Sequence, residues 1–244
     1  SRLGLQPEAL EEFLTAARRH TSLTLTGVMT HYANADDLDE ATNRKQATLF
    51  AESLDSVKAA GFTPDWIHTS NSAATQSFDD GLSTMIRPGL TLFGISPIRR
   101  LEAFRPAMRW VTSPVHIKTI AAGTPVSYGG HWVASRPSRI ATLPVGYADG
   151  YPRTLSNRAE VLVRGQRAPV IGSVCMDMVM IDVTHIDEVK LTDEVVLLGT
   201  QGELEIDAHE LAQHAGAIAY EMVTGVQNRV PREYTGFAAK NPTV

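Results

Sequence analysis

The chain is almost without cysteine: Cys175 is the one thiol in 244 residues. A single thiol excludes an internal disulfide and any multi-cysteine metal site. Long basic runs are also missing and the formal net charge is −5, so neither nucleic acid nor an anionic membrane surface is an expected partner. No apolar stretch approaches the roughly 20 residues of a membrane span. The opening Ser1-Arg2-Leu3-Gly4-Leu5 has no apolar signal-peptide core, and a cytoplasmic location is the expectation. Internal repeats and low-complexity linkers are absent too. What remains, 43% hydrophobic and 20% charged residues, is the composition of an ordinary globular protein. Its length suffices for one large core or two smaller ones.

Two grammars follow one another along the chain. Pro7 opens a helical pattern that runs to about His20, with proline where its missing N–H is harmless. Leu23 to Met29 reads as a buried strand. Leu38 to Ala60 reads as a long amphipathic helix, with Ala47, Phe50, Leu54 and Val57 at helical spacing and Gly61 as its stop. Trp66-Ile67-His68 is a short strand, Asn71-Ser72 can cap a following helix, and Met85 to Ile95 contains another strand broken at Arg87-Pro88-Gly89. Alternating strand and helix point to a βα barrel or a doubly wound sheet. After Pro97 short strands dominate: 111–120, 139–144, 160–163, 168–171, 178–183 and 194–198, with turn signals at Gly129-Gly130, Arg164-Gly165 and Gln201-Gly202. One helix, 208–214, interrupts them, and 222–232 is expected to return as a last strand. The boundary between the α/β part and the mostly β part is expected near residue 100.

Several segments carry chemistry-bearing residues where such a fold gathers them. Thr30-His31-Tyr32 and His68-Thr69-Ser70-Asn71-Ser72 each follow a strand. A hydroxyl such as Ser72 at a helix start, beside free backbone N–H groups, makes an anion site; an ordinary Ser/Asn cap reads the same way. Arg87-Pro88-Gly89-Leu90 offers a permanent cation beside a glycine that allows close backbone approach. Taken singly, His31 is as readily structural, Asp36 a turn former, Tyr128 a packing residue before a Gly-Gly turn, and Cys175 a small buried hydrophobe.

Taken in order, Val126-Ser127-Tyr128-Gly129, Gly146-Tyr147-Ala148-Asp149-Gly150-Tyr151 and Cys175-Met176-Asp177, together with Arg87-Pro88-Gly89-Leu90, resemble the alanine racemase family over nearly the whole chain. The resemblance implies a fold-type III enzyme using pyridoxal 5'-phosphate (PLP). Residues 1–100 would be the last few βα units of a (β/α)8 TIM-type barrel. Residues 101–244 would be a mostly antiparallel β domain that contributes to the partner's active site in a homodimer. The implied activity is interconversion of L- and D-alanine, the D isomer supplying bacterial peptidoglycan. By the resemblance, Tyr128 is the catalytic base for one face of the substrate. A free tyrosine ionises near pH 10, about three units above neutrality, so that role calls for cationic neighbours, expected to be Arg87 and His31. Arg87 is the hydrogen-bond donor to the cofactor ring nitrogen; because arginine keeps its proton, the ring stays a weaker electron sink, which favours reprotonation over transamination. His68 orients Arg87, while Ser72, Gly89, Leu90 and Tyr220 hold the phosphate. Arg2 lies near the ring hydroxyl and the substrate carboxylate, which Met176 and Asp177 also approach. Asp36, Tyr147, Arg153 and Ile218 line the entrance.

The five lysines, Lys45, Lys58, Lys118, Lys190 and Lys240, do not stand in anything resembling the family's Lys-Ala-Asn-Ala-Tyr-Gly-His-Gly segment. The chain is therefore expected to be the C-terminal two-thirds of such an enzyme and inactive by itself. Ser173 stands where many relatives have a basic residue at the substrate entrance, which is expected to alter access. Three other readings remain: a serine or broad-range racemase, a fold-type III decarboxylase, and a non-catalytic dimerising remnant.

Overall fold

The structure, a computed structural model, describes residues 2–37, 40–98 and 104–236. Two compact units are present, Ser1–Ala107 and Met108–Val244. The expected helix start at residue 38 and the expected boundary at residue 100 lie outside the described residues.

In the first unit a helical turn, Pro7–Ala9, leads into α1 (Leu10–Arg18). Strands β1 (Gly27–Met29) and β2 (Trp66–His68) pair in parallel, joined through α2 (Glu40–Ala59). The helix forms because Phe50, Leu54 and Val57 fall on one face and are buried there. Gly61, at φ +82°, turns the chain out of it. Gly27 lets the strands meet, since a Cβ there would lie 3.1 Å from the Trp66 carbonyl oxygen. After β2, Asn71 Oδ1 accepts from Ala74 N at 2.9 Å and starts α3 (Ala74–Ser77). Parallel sheet among the described residues is limited to β1 and β2, fewer strands than the several βα units expected. The strand expected from 23 covers only its last three residues. The strand expected within 85–95 is replaced by an irregular run and a helical turn, Leu90–Phe93. There Met85 N and Arg87 N bond the carbonyls of Ile67 and Ser70, but Pro88 has no N–H to continue a ladder.

The second unit is built on an eight-stranded antiparallel sheet. Its members are β3 (Trp110–Thr112), β4 (His116–Ile120), β7 (Ser138–Leu143), β8 (Glu160–Val163), β9 (Gln166–Ile171), β10 (Val179–Asp182), β11 (Val195–Gln201) and β12 (Leu204–Ile206). The order is β12-β11-β8-β9-β10-β7-β4, with β3 on β11. A separate hairpin joins β5 (Pro125–Val126) to β6 (Trp132–Val133) and carries Tyr128 at its tip. Val161, Leu162 and Val163 are buried on successive faces, as are Val195 to Leu198, so these strands read as unbroken apolar runs. Arg164 and Gly165, both at positive φ, close the β8–β9 hairpin in the twist-matched manner of a two-residue turn. Helix α4 (Ala208–Ala215) is capped by Asp207, whose side chain accepts from Glu210 N at 2.6 Å, and ends on Gly216 at φ +69°.

The last strand expected at 222–232 is instead α5 (Ala219–Thr224) followed by irregular chain. Ala219, Met222 and Val223 are buried together at helical spacing, and that packing outweighs the β preference of the apolar pair.

Candidate active site

The carboxyl ends of β1 and β2 bring two sequence-predicted residues, His31 and His68, around a third, Arg87. One terminal nitrogen of its guanidinium lies 2.6 Å from His68 Nδ1. The other donates to the carbonyls of Thr30 at 3.0 Å and Thr69 at 3.3 Å, and lies 3.2 Å from His31 Nδ1. All four acceptors are neutral, and no carboxylate pairs with Arg87 among the described residues. Its Nε–H carries no hydrogen bond there. Burial lowers the Arg87 pKa, but a guanidinium keeps its proton at any ordinary pH. The outcome is a held cation with its charge uncompensated and a donor to spare.

The histidines are tuned to match. Burial and then the Arg87 charge lower the pKa of His68. His31 is lowered by burial, then by Arg2, then by Arg87. His31 Nε2 also lies 3.4 Å from Asn71 Nδ2. The orientation of that amide follows from its other bonds, Nδ2 to the Tyr32 carbonyl at 3.1 Å and Oδ1 from Ala74 N. His31 thus meets donor groups at both ring nitrogens; a neutral imidazole can accept on one of them, here Nδ1 from Arg87, and an imidazolium on neither.

Beneath this cluster lies a polar network that the sequence did not flag. Asp80 Oδ2 accepts from Tyr32 Oη at 2.6 Å and from Thr69 Oγ1 at 2.5 Å. Burial pushes the Asp80 carboxyl up, but these bonds and those from the Leu82 and Ser83 backbone outweigh it and hold it below its usual range. Tyr32 is buried, which together with the neighbouring carboxylate raises its pKa. Asp79-Asp80-Gly81 reads locally as a turn, and nothing in it signals a contact 48 residues away.

Ser72 and Gly89 also meet: the buried Ser72 hydroxyl accepts from Gly89 N at 2.7 Å, and Thr91 Oγ1 is 3.5 Å from it. Leu90 opens a helical turn, so its N–H has no carbonyl behind it. A Cβ on Gly89 would sit 3.9 Å from Ser72 Oγ, in ordinary contact, so openness toward solvent rather than crowding marks this glycine. Arg2 and Asp36 are exposed. Arg2 is felt at His31 through its charge alone, and Asp36 stands on the loop before α2.

In the second unit, one rim brings together Tyr147, Met176 and Asp177. Tyr147 N and Ala148 N bond the carbonyls of Cys175 and Met176, each at 3.0 Å. A Cβ on Gly146 would lie 2.3 Å from both of those carbonyls, so only glycine allows this approach. Arg229, expected only in a closing strand, ties the rim by donating to Asp149 Oδ1 at 2.7 Å and Asp177 Oδ1 at 2.5 Å. Tyr128, Tyr147, Met176, Ile218 and Tyr220 are all exposed, Tyr128 by 75%. Arg153 stands in a helical turn, Arg153–Leu155, with its carbonyl accepting from Ser156. Ser173, at a position expected to border the entrance and to alter access by lacking a basic side chain, is buried and donates to the Tyr128 carbonyl at 3.0 Å. Among the described residues no helix is long and apolar enough to cross a membrane, and no group of three or more His, Cys, Asp or Glu side chains could hold a metal ion.

Comparison with known proteins agrees over both units. Residues 107–234 match the family described as "Alanine racemase, C-terminal domain", and residues 1–97 match "Alanine racemase, N-terminal domain". An alanine racemase of Halothermothrix orenii is 44% identical over 236 residues, covering 96% of this chain and 62% of that protein. The crystal structure of alanine racemase from D-cycloserine-producing Streptomyces lavendulae matches with a TM-score of 0.91 at 36% identity, over 97% of this chain and 64% of that one. The Bartonella henselae alanine racemase, solved with covalently bound pyridoxal phosphate, matches with a TM-score of 0.84 at 27% identity, over 96% of this chain and 63% of that one. The chain therefore spans less than two-thirds of the length of these relatives.

Proposed function

The chain belongs to the alanine racemase family, and we propose that it carries most of the machinery by which such an enzyme interconverts L- and D-alanine with PLP. The observation that carries this reading is the Arg87 cage: a permanent cation that, among the described residues, is fixed by neutral acceptors only and keeps an N–H unpaired. That donor set fits an electron-rich aromatic nitrogen. It donates a hydrogen bond without surrendering a proton, and neutral His31 and His68 do not compete for the charge. Ser72, Gly89 and Leu90, with Tyr220, would hold the phosphate through hydroxyls and backbone N–H groups. PLP, when bound, supplies the electron sink that makes the substrate Cα proton acidic.

The remaining roles fall to this chain's side chains. Tyr128 would take or return the Cα proton on one face. Arg2, Met176 and Asp177 would hold the substrate carboxylate end, and Asp36, Tyr147, Arg153 and Ile218 would line the entrance. The base for the other face would be a lysine in the part of the relatives that this chain does not span. The first unit would be part of a (β/α)8 barrel. The second would serve the active site of a second copy, which accounts for a catalytic tyrosine that stands exposed on its own chain. The product D-alanine would enter bacterial peptidoglycan, in the cytoplasm.

Tyr128→Phe in the PLP-loaded gene product tests the reading. Loss of a positioned base is expected to slow interconversion by about 100-fold or more. Exchange of the Cα hydrogen with solvent deuterium should fail for one enantiomer only, and the cofactor absorbance should be unchanged. Wild-type rates from both enantiomers would remove Tyr128 from the mechanism. A decarboxylase would instead release carbon dioxide.

A further inference from the structure

Tyr128 has little side-chain support of its own. Its side chain is 75% exposed and its hydroxyl has no hydrogen bond among the described residues. Whatever aims the phenol within this chain must act through its backbone. That backbone is unusual immediately before it. Ser127 has φ +66° and ψ −179°, a region occupied almost only by glycine, where a Cβ is strained. Such strain persists only where the surroundings enforce it.

Gly130 N donates to the Ser127 carbonyl at 3.3 Å within the tip, and the other enforcing groups are on segment 172–175. Ser127 Oγ donates to the Ser173 carbonyl at 2.7 Å, and Ser173 Oγ donates back to the Tyr128 carbonyl at 3.0 Å. Cys175 Sγ lies 3.4 Å from the Ser127 hydroxyl on its other side. Segment 172–174 is itself immobilised from a third direction. Gly172 N donates to Asn157 Oδ1 at 2.6 Å and Val174 N to Ser156 Oγ at 2.9 Å. The fit is tight: a Cβ on Gly172, at φ +71°, would lie 2.7 Å from the Val126 carbonyl oxygen and 2.8 Å from Ser127 Cβ. The β5–β6 tip is therefore seated on residues 172–174 by two reciprocal side-chain-to-backbone bonds, 46 and 45 residues apart in sequence.

We propose that Ser127 and Ser173 are positioning residues that clasp the Tyr128 backbone, and that the strained Ser127 conformation is retained because it directs this side chain out from the sheet. The inference rests on the reading of Tyr128 as a proton-transfer base. It gives Ser173 a role different from one at an open entrance: the hydroxyl faces inward, under the tyrosine. The clasp does no chemistry. It narrows the range of positions from which the phenol oxygen can reach a substrate proton, which acts on turnover rather than on cofactor or substrate binding.

The test compares Ser127→Ala, Ser127→Gly and Ser173→Ala with Tyr128→Phe in the PLP-loaded enzyme. Each lost hydroxyl removes a neutral hydrogen bond, and kcat should fall about five- to tenfold, with KM for alanine and the cofactor absorbance unchanged. The two alanine enantiomers have equal energy, so interconversion falls equally in both directions. Exchange of the Cα hydrogen without inversion separates the faces: it should fall only for the enantiomer that Tyr128→Phe also silences. Hydrogen–deuterium exchange of peptide 126–133 provides a readout independent of turnover, and it should quicken in both alanine variants. Ser127→Gly relieves the backbone strain but loses the hydroxyl, so it should recover thermal stability relative to Ser127→Ala without recovering kcat. The proposal is overturned if both alanine variants keep wild-type kcat and amide protection while Tyr128→Phe shows its loss. It is also overturned if exchange declines equally for both enantiomers, as general loosening would produce. If Tyr128→Phe itself has no effect, the functional reading fails instead, and the amide protection of peptide 126–133 still decides whether the clasp exists.

Discussion

Replacing Asp80 by Asn should loosen the floor of the Arg87 cage by an amount that can be worked from its hydrogen bonds. The carboxylate accepts from Tyr32 Oη and Thr69 Oγ1 on Oδ2, and from Leu82 N at 2.9 Å on Oδ1. An amide of the same shape has one acceptor oxygen. If that oxygen faces Leu82, the NH2 meets two hydroxyls. Thr69 can turn to Ser83 Oγ, 2.6 Å away, but Tyr32, 1% exposed, loses its acceptor. If the oxygen faces the hydroxyls, the NH2 meets the Leu82 N–H. Either way one charge-assisted bond is lost, in the range of about 1.5–3 kcal/mol. Because Asp80 is only partly buried, the expected loss for Asp80→Asn is about 2 kcal/mol, and Tyr32→Phe, which removes one donor to the same oxygen, should lose about 1.5 kcal/mol. The two changes delete one shared interaction, so the double variant should lose roughly 1 kcal/mol less than their sum.

Urea unfolding of the four proteins measures this. The pH dependence gives a second check. The folded Asp80 carboxyl lies below its usual range, so its contribution is complete above the unfolded pKa of about 3.9 and disappears as pH falls through the lower folded value. The gap between wild type and Asp80→Asn should accordingly hold at neutral pH and close in acid. A gap below about 0.5 kcal/mol at neutral pH, or strict additivity of the two single changes, would refute the network as a stabilising unit.

Two further outcomes follow from the same geometry. His31 and His68 both have pKa values below the ordinary one, so their neutral forms stabilise the fold above about pH 6.5 and that contribution fades as pH falls through the folded values; nitrogen-15 spectra should show each ring more than half neutral at that pH with Nδ1 unprotonated in the neutral form, and a ring half-titrated there would contradict the cage. Gly146→Ala drives a Cβ to within 2.3 Å of two backbone carbonyls, and should destabilise the protein by about 2–3 kcal/mol, a clear fall in thermal midpoint; an unchanged midpoint would mean the Tyr147 and Met176 loops are not held together as described.

Local pattern made most strands of the second unit legible, but the single strand expected over 111–120 is two, β3 and β4, which break at Ser113-Pro114 and pair with β11 and β7 respectively. Strand β8 falls on 160–163 as read, because an apolar run ends at an Arg-Gly pair whose positive φ angles make a hairpin turn. The long helix was legible because Phe50, Leu54 and Val57 repeat at helical spacing. Errors arose where tertiary contacts outvoted local preference. Met222-Val223 has strand character, yet pairs with Ala219 on the buried face of a short helix. The run around Arg87 looks like a strand but contains Pro88, so its few backbone bonds to Ile67 and Ser70 do not grow into one. The β5–β6 hairpin and β12 are too short to leave a periodic signal.

The site divides in the same way, for a physical reason. The residues proposed to approach a ligand were legible mainly through the family resemblance: His31 and His68 stand at the ends of β1 and β2, Arg87 in the irregular run that follows, and the structure brings Arg87 within hydrogen-bond reach of both histidines. Residues that support those positions act through bonds to distant backbone, and any Ser, Asn or Asp in a loop has the same local appearance. Asp80 reaches Tyr32 and Ser173 reaches Tyr128 across 48 and 45 residues. Neither pair has a spacing that repeats, so composition and periodicity are blind to both. The one local trace is Ser127, a non-glycine residue at φ +66°, and a backbone angle is not visible in a sequence. Supporting contacts of this kind set how closely a reactive atom is held, and they emerge only once the chain is folded.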